Sequence, residues 1–260
     1  MTACVVIKAG GSAGVDRDAV SDLVADRAQD SLVVLVHGAS AETDRLSAVL
    51  GHPAETIVSP SGHQSRRTDR ATLEIFALAA LGRENFLYVE KLQQRGIDAF
   101  GLSGLSGRLL VGKRKDVRAV KDGKTFILRD DHTGTVDTVN VPLLRQLMGP
   151  KRVPVVAPLA LSERNEALNV DGDRVAARIA VALGAESLVI LTNVAGLLRD
   201  VADPSSLVAS ATVVEAESLA EGRMKKKILA AREALQGGVR EVIISRAATD
   251  DPLRRTVIHL

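Results

Sequence analysis

Five short aliphatic runs, separated by stretches of helical spacing, constrain the fold of this chain more than any other feature. Val5-Val6-Ile7, Leu32-Val33-Val34-Leu35-Val36, Val153-Pro154-Val155-Val156, Leu188-Val189-Ile190-Leu191 and Val242-Ile243-Ile244 each suit a strand buried on both faces. Residues 18–29, 68–81, 84–95, 173–183 and 223–235 carry the spacing of amphipathic helices. This alternation predicts an α/β fold built on one mainly parallel sheet. Residues 108–136 depart from it: they read as short strands joined by turns, with Asp122-Gly123 as the hairpin signal, and predict a β-hairpin excursion from the sheet. A change of composition near Gly149-Pro150 marks an N-terminal lobe of about 1–150 and a C-terminal lobe of about 151–260. No Gly/Ser-rich linker parts them, so both lobes are expected to share the sheet within a single domain.

Composition narrows the class of function. A formal charge of +2 and 2% aromatic residues argue against nucleic-acid binding as the main activity. Cys4 is the only cysteine, so one chain builds neither a disulfide framework nor a cysteine metal site, which fits a reducing compartment. The first residues lack the pattern of a signal peptide, and the most apolar later stretch, 179–198, is interrupted by Gly184, Glu186 and Gly196. A cytoplasmic protein with no membrane role is expected.

Candidate chemistry lies where strands hand over to helices. The first strand runs into Lys8-Ala9-Gly10-Gly11-Ser12-Ala13-Gly14, a turn able to present backbone N–H groups to phosphate oxygens, although it matches neither a Walker motif nor a dinucleotide fingerprint. The second ends in His37-Gly38-Ala39-Ser40, with a helix expected to begin near Glu42. Ligands of open parallel sheets gather at the carboxyl ends of strands, so two small-residue turns there favour an anion site over a pair of ordinary turns.

Three polar clusters follow. In Ser65-Arg66-Arg67-Thr68-Asp69-Arg70, Thr68 or Asp69 is placed to cap a helix, and an arginine before it is suited to hold a carboxylate in a fixed orientation. Asn169-Val170-Asp171-Gly172-Asp173 offers two carboxylates where a cap needs one; the other could bind a divalent cation or orient lysines. Gly222-Arg223-Met224-Lys225-Lys226-Lys227 opens a helix at the end where positive charge is unfavourable, which calls for an anion nearby, with Lys225 and Lys226 read as solvated. The histidines His37, His52, His63, His132 and His259 show no metal-ligand spacing.

Taken in order, these segments resemble the amino-acid kinase family over nearly the whole chain, in its acetylglutamate-kinase-like branch. The stretch from Ser65 to Glu74, Gly101-Leu102-Ser103-Gly104-Leu105-Ser106-Gly107-Arg108-Leu109, and the two clusters at Asn169 and Lys227 are most similar to kinases acting on α-aminoadipate or glutamate carried by a LysW-type amino-group carrier protein. The resemblance implies a three-layer α/β/α sandwich, ATP with Mg²⁺ brought by the nucleotide, a homodimer, and a place in lysine or arginine biosynthesis. It implies that Lys8 and Lys227 stabilise the transferring phosphoryl group while Asp173 holds both. Gly10, Gly11 and Gly38 would give backbone donors, with Ala39 and Ser40 beside them. Arg66 and Asn169 would hold the substrate's free α-carboxylate, and Thr192, Asn193 and Gly196 would border the nucleotide. Ala39 departs from the family's usual glycine, and is tolerated if its φ is negative but strained if positive.

A carboxylate acceptor needs no general base, since a Glu-like carboxyl with a pKa of about 4.3 is ionised at neutral pH. Between Arg108 and Arg129 eight basic residues (Arg108, Lys113, Arg114, Lys115, Arg118, Lys121, Lys124, Arg129) face two acidic ones (Asp116, Asp122). That one-sided charge fits an acidic partner better than a solvated hairpin, and the family's carriers are acidic. Lys113, Arg114, Lys115 and Arg118 are therefore expected to meet the carrier. A kinase of free N-acetylglutamate, or a weakly active regulatory protein of the same fold, are the alternatives.

Overall fold

The computed structural model describes residues 2–58, 60, 64–121, 124–247 and 254–260. All five aliphatic runs form strands of one eight-stranded sheet. Its strands are β1 (Cys4–Ala9), β2 (Leu32–His37), β3 (Asp98–Ser103), β4 (Arg152–Ala157), β5 (Ser187–Thr192), β6 (Ser210–Thr212), β7 (Glu241–Arg246) and β8 (Arg255–His259). They lie in the order β6-β8-β7-β5-β1-β2-β4-β3. Pairing is parallel from β3 through to β7, and β8 turns antiparallel against β7. The chain steps from β1 toward β2 on one side, and from β5 toward β7 on the other. The order thus reverses between β1 and β5, where open α/β sheets take their ligands.

Alternation along the strands divides the core between two faces. Val5, Ile7, Val33, Leu35, Val153 and Val155 pack on α1 (Arg17–Asp30) through Val20 and Val24. The intervening Val6, Val34, Val36, Leu188, Ile190, Val242 and Ile244 pack on the opposite helical layer. Each such aliphatic side chain contributes roughly 1.5–3 kcal/mol when fully buried. The result is the three-layer α/β/α sandwich. Further helices are α2 (Ser40–Val49), α3 (Arg70–Ala77), α4 (Phe86–Gln93), α5 (Val141–Leu147), α6 (Gly172–Leu183), α7 (Val213–Leu219) and α8 (Met224–Gln236). Among the described residues no helix is long and apolar enough to cross a membrane.

One expectation is corrected. The separate helices expected at 68–81 and 84–95 are joined, because α3 passes through a π-helical stretch, Leu78–Asn85, directly into α4. The wide turns bring Glu84 and Asn85 inward. Glu84 takes two hydrogen bonds from Arg17, at 2.8 and 2.5 Å, and the Asn85 amide donates to the Val155 carbonyl at 2.9 Å. These partners compensate the poorer π-helical hydrogen bonding.

The excursion is present: Val117–Lys121 pairs antiparallel with Lys124–Leu128. Its signalled turn, Asp122-Gly123, lies outside the described residues, as does His63. Leu110–Gly112 joins a separate four-stranded sheet with Thr138–Val139, Leu159–Ser162 and Ala167–Asn169.

Candidate active site

The period of two along β1 decides where Lys8 points. Val5, Ile7 and Ala9 face α1, so Lys8 shares the face of Val6, toward α6. At the start of α6 the Asp171 carboxylate caps the helix, accepting the N–H groups of Asp173 at 2.9 Å and Arg174 at 3.2 Å. Capping is thus done by Asp171, and Asp173 turns to the lysines. Its Oδ1 lies 2.7 Å from Lys8 Nζ and its Oδ2 3.0 Å from Lys227 Nζ, one turn into α8. Lys8 and Asp173 are each 6% exposed. Burial alone would push the Asp173 carboxyl up, but the two ammonium charges and their hydrogen bonds outweigh it and hold the group at about 2. Burial, then the charge of Lys8, pushes the Lys227 ammonium below its usual range, against the pull of Asp173. Two cations sharing one anion leave the site with net positive charge, which an incoming anion would offset.

The two small-residue turns meet beside this cluster. The Gly10 N–H donates to Leu191 at 2.9 Å and the Gly38 N–H to Ala9 at 2.9 Å, so both extend the sheet. Of the three glycine N–H groups, that of Gly11 alone has no acceptor among the described residues. The Gly11 carbonyl accepts the Ala41 N–H at 2.8 Å, which sets the N-terminus of α2 against the glycine turn. No side chain caps α2, and none caps α8. Arg223, just before α8, donates to the Ser12 hydroxyl at 2.9 Å. Two uncapped helix ends thus lie beside one turn, and free N–H groups in such a place suit an anion. Lys225 and Lys226 are exposed, as read from the sequence.

Ala39 is not strained. Its φ is −143°, and its buried methyl joins an apolar cluster with Leu73, Phe76, Ala79, Ala80 and Leu159. Ser40 opens α2, and its carbonyl lies 3.5 Å from Arg66 Nη2, whose guanidinium also pairs with Asp44. Asp69, not Thr68, caps α3 through the Thr72 N–H at 2.8 Å. Thr68 accepts the Asn169 amide on its hydroxyl at 3.2 Å, which brings Asn169 beside the segment holding Arg66.

On the other side of the turn, the Thr192 hydroxyl donates to Asn193 Oδ1 at 3.4 Å, and the Asn193 amide reaches the Ala13 carbonyl at 3.5 Å. Both therefore border the glycine turn. Gly196 closes against β8, since a Cβ there would lie 2.4 Å from Thr256 Oγ1. The four basic residues of the excursion divide. Lys113 is exposed, with Asp137 3.6 Å and Glu163 3.9 Å away, and Arg118 is exposed. Lys115 lines a depression with Thr135, Asp171, Arg174 and Arg178. Arg114 turns inward, donating to the carbonyls of Asp131 and Arg129 at 2.6 Å each.

Sequence reasoning missed Asp131, Arg223's reach to Ser12, and the inward role of Arg114. Asp130 and Asp131 are adjacent and identical, yet Asp130 pairs with Arg67 in solvent while Asp131 is fully buried. No local signal separates them. Among the described residues, no three His, Cys, Asp or Glu side chains group to hold a metal ion, and both Asp173 oxygens are engaged by lysines.

The sequence profile described as "Amino acid kinase family" matches residues 3–245. The chain is 49% identical to the [LysW]-aminoadipate kinase of Deinococcus radiodurans, over 96% of this chain and 87% of that protein. It is 45% identical to the [LysW]-aminoadipate kinase of Thermus thermophilus, over 97% of each. A crystal structure from Streptococcus mutans superposes with a TM-score of 0.77 at 23% identity, covering 100% of this chain and 99% of that one, which speaks for the fold alone. With the family's profile covering most of the sandwich and all three residues of its cationic cluster, this chain belongs to the amino acid kinase family.

Proposed function

We propose that the chain transfers the γ-phosphoryl group of ATP to the side-chain carboxylate of α-aminoadipate, or of glutamate, held by its amino group on an acidic LysW-type carrier protein. The observation that carries this reading is the bridged cluster Lys8–Asp173–Lys227 at the mouth of the glycine turns. The names of the relatives support the acceptor and its carrier. In the reaction a carboxylate oxygen forms a bond to γ-phosphorus, the bond to the β,γ-bridging oxygen breaks, and ADP leaves with that electron pair. No proton moves, so the absence of a base from the proposed roles is consistent.

The barrier is charge repulsion and alignment. Lys8 and Lys227 act on the phosphoryl oxygens from two sides, and Asp173 fixes both ammonium groups. The Gly11 N–H and the end of α2 meet phosphate oxygens, with Gly10, Gly38, Ala39 and Ser40 shaping that turn. Arg66 and Asn169 hold the free α-carboxylate. Thr192, Asn193 and Gly196 border the nucleotide, so the acceptor lies largely in the N-terminal lobe, with Asn169 reaching it from the C-terminal one, and the nucleotide largely in the C-terminal lobe. Mg²⁺ arriving with the nucleotide supplies further neutralisation of phosphate charge. Lys113, Lys115 and Arg118 meet the carrier, while Arg114 braces the segment beneath them. Exposed Leu78 and Phe86, 58% and 59% accessible, offer an apolar face for a homodimer. A cytoplasmic enzyme of amino-acid biosynthesis fits this reading.

The test is ATP consumption with hydroxylamine trapping of the acyl phosphate, supplying candidate carboxylates free and attached to an acidic carrier. Hydroxamate should form with carrier-bound aminoadipate or glutamate. Comparable kcat/KM on free N-acetylglutamate would sink the carrier-bound reading. Ala39, where the family usually has glycine, is the departure that would favour a weakly active regulatory protein, and its negative φ removes that support.

A further inference from the structure

Segments far apart in the chain converge around one buried residue, Asp131. Asp131 is 0% exposed. Its Oδ2 accepts the Thr68 N–H at 2.8 Å and its Oδ1 the Thr133 N–H at 2.8 Å. The Asp131 carbonyl accepts Arg114 Nε at 2.6 Å. The cluster continues through its neighbours: the His132 N–H donates to the Thr68 carbonyl at 2.7 Å, the Asn169 N–H to the His132 carbonyl at 2.9 Å, and the Gly134 N–H to the Asn169 carbonyl at 2.9 Å. The Thr68 hydroxyl, in turn, receives the Asn169 amide.

The groups involved have different duties. Arg66 and Asn169 were assigned above to the acceptor, and Arg114 enters the basic excursion two residues before Asp116. The buried Asp131 side chain hydrogen-bonds both the acceptor segment, at Thr68, and the return of the excursion, at Thr133. A carboxylate suits this place because both of its oxygens accept, and both partners are backbone donors. An amide of the same shape offers one acceptor and one donor, so one N–H would face another N–H in the interior. Adjacent Asp130, in solvent with Arg67, carries no such constraint.

We propose that Asp131 is a positioning residue that joins the basic excursion to the acceptor site, so that a partner seated on the excursion is held in register with Arg66 and Asn169. The coupling to a docked partner rests on the carrier reading of the previous subsection; the joining of excursion to acceptor segment does not. Asp131 touches neither phosphate nor acceptor. Its effect falls on how the acceptor is presented, and the nucleotide side should be spared.

The experiment compares wild type with Asp131→Asn and Arg114→Gln in the full chain. It measures acceptor KM, ATP KM and kcat, together with hydrogen–deuterium exchange of residues 65–69 and 131–134. Asp131→Asn should raise acceptor KM about 10–100-fold, the loss expected when a buried hydrogen bond to a charged group is broken. ATP KM should stay within about twofold, and exchange should quicken in both segments. Arg114→Gln should give the same pattern more weakly, and serves alone if Asp131→Asn does not fold. Unchanged acceptor KM in a folded variant, or ATP KM rising in step with it, overturns the proposal. If wild type phosphorylates only free carboxylates, the carrier reading fails, and the same KM comparison with the free acceptor still decides the role of Asp131. Exchange that quickens in one segment without the other overturns the joining itself.

Discussion

Gly11 and Gly38 are pressed together backbone to backbone. A Cβ added to Gly11 would lie 2.3 Å from the Ala39 nitrogen and 2.5 Å from the Gly38 carbonyl carbon, and one added to Gly38 would lie 2.7 Å from the Gly11 nitrogen. Every atom met is backbone, so no side chain can swing away to make room. The contact sets the spacing between the turns after β1 and β2, and with it the width of the proposed phosphate cradle. Gly11→Ala should therefore push the turns apart, destabilising the fold by about 1–3 kcal/mol, the usual range for overpacking. Turnover should fall at least tenfold, and ATP KM should rise. Denaturant melts and steady-state kinetics check both; wild-type kinetics in Gly11→Ala would mean the turns are not spaced for a ligand.

Asp173→Asn tests the bridged cluster, and pH provides a second axis. Asparagine keeps the shape and loses the charge that faces Lys8 and Lys227. Turnover should fall roughly 10²–10³-fold, comparable to removing one transition-state donor, with ATP KM little changed. Lys227, already held below its ordinary range by burial and Lys8, loses its counter-charge in the variant and should shed its proton more readily. Residual activity should accordingly decline with rising pH where wild type holds. The stability sign runs the other way. A carboxyl held at about 2 when folded, against about 3.9 unfolded, contributes its full stabilisation above the unfolded value and loses it as pH falls toward 2. The wild-type advantage over Asp173→Asn should thus shrink below about pH 5. Denaturation curves from pH 7 to 3 measure it, and a constant difference would detach Asp173 from the lysines.

Ala39 provides a prediction of no catalytic effect. Its φ of −143° demands no glycine, and its methyl is buried among Leu73 and Phe76 rather than turned into the cradle. Ala39→Gly should leave kcat and both KM values within about twofold and lower stability by about 1–2 kcal/mol, from lost burial and added chain freedom. A marked gain in kcat would show that the methyl does crowd the phosphate.

The sequence was most readable where local pattern and tertiary role coincide. The five aliphatic runs are buried on both faces and became β1, β2, β4, β5 and β7. Strand β3 escaped because Asp98 and Gly101 break its pattern, yet Gly101 is small for a tertiary reason: a Cβ there would lie 2.2 Å from Asn85 Oδ1. The π-helical stretch was hidden for the same cause, since its inward turn depends on Arg17 and Val155, which no local window contains. Lys8, Asp173 and Lys227 were identified by the resemblance in motif order, and only the fold brings their charges together. The donor roles given to Gly10 and Gly38 could not be checked in sequence, because both N–H groups are taken up by neighbouring strand ends.

The basic excursion gives the prediction that separates carrier-bound from free substrate. Substitution must spare Arg114, whose guanidinium holds the carbonyls of Asp131 and Arg129; reversing its charge would disturb the acceptor segment as well as the surface. Lys113, Lys115 and Arg118 are exposed, so Lys113→Glu, Lys115→Glu and Arg118→Glu together change the surface charge by six units with the brace intact. The triple variant should raise KM for carrier-bound substrate at least tenfold while leaving kcat and ATP KM within about twofold, because these charges seat an acidic partner without reaching the phosphoryl group. Raising ionic strength should weaken wild type in the same direction, since exposed charges are screened over about 8 Å at physiological salt and over less at higher salt. The variant, having lost the attraction, should respond far less to salt. Steady-state kinetics at two ionic strengths read all four conditions. Equal KM for carrier-bound substrate in variant and wild type would make the excursion a solvated surface, and the case for a free carboxylate acceptor would then be the stronger one.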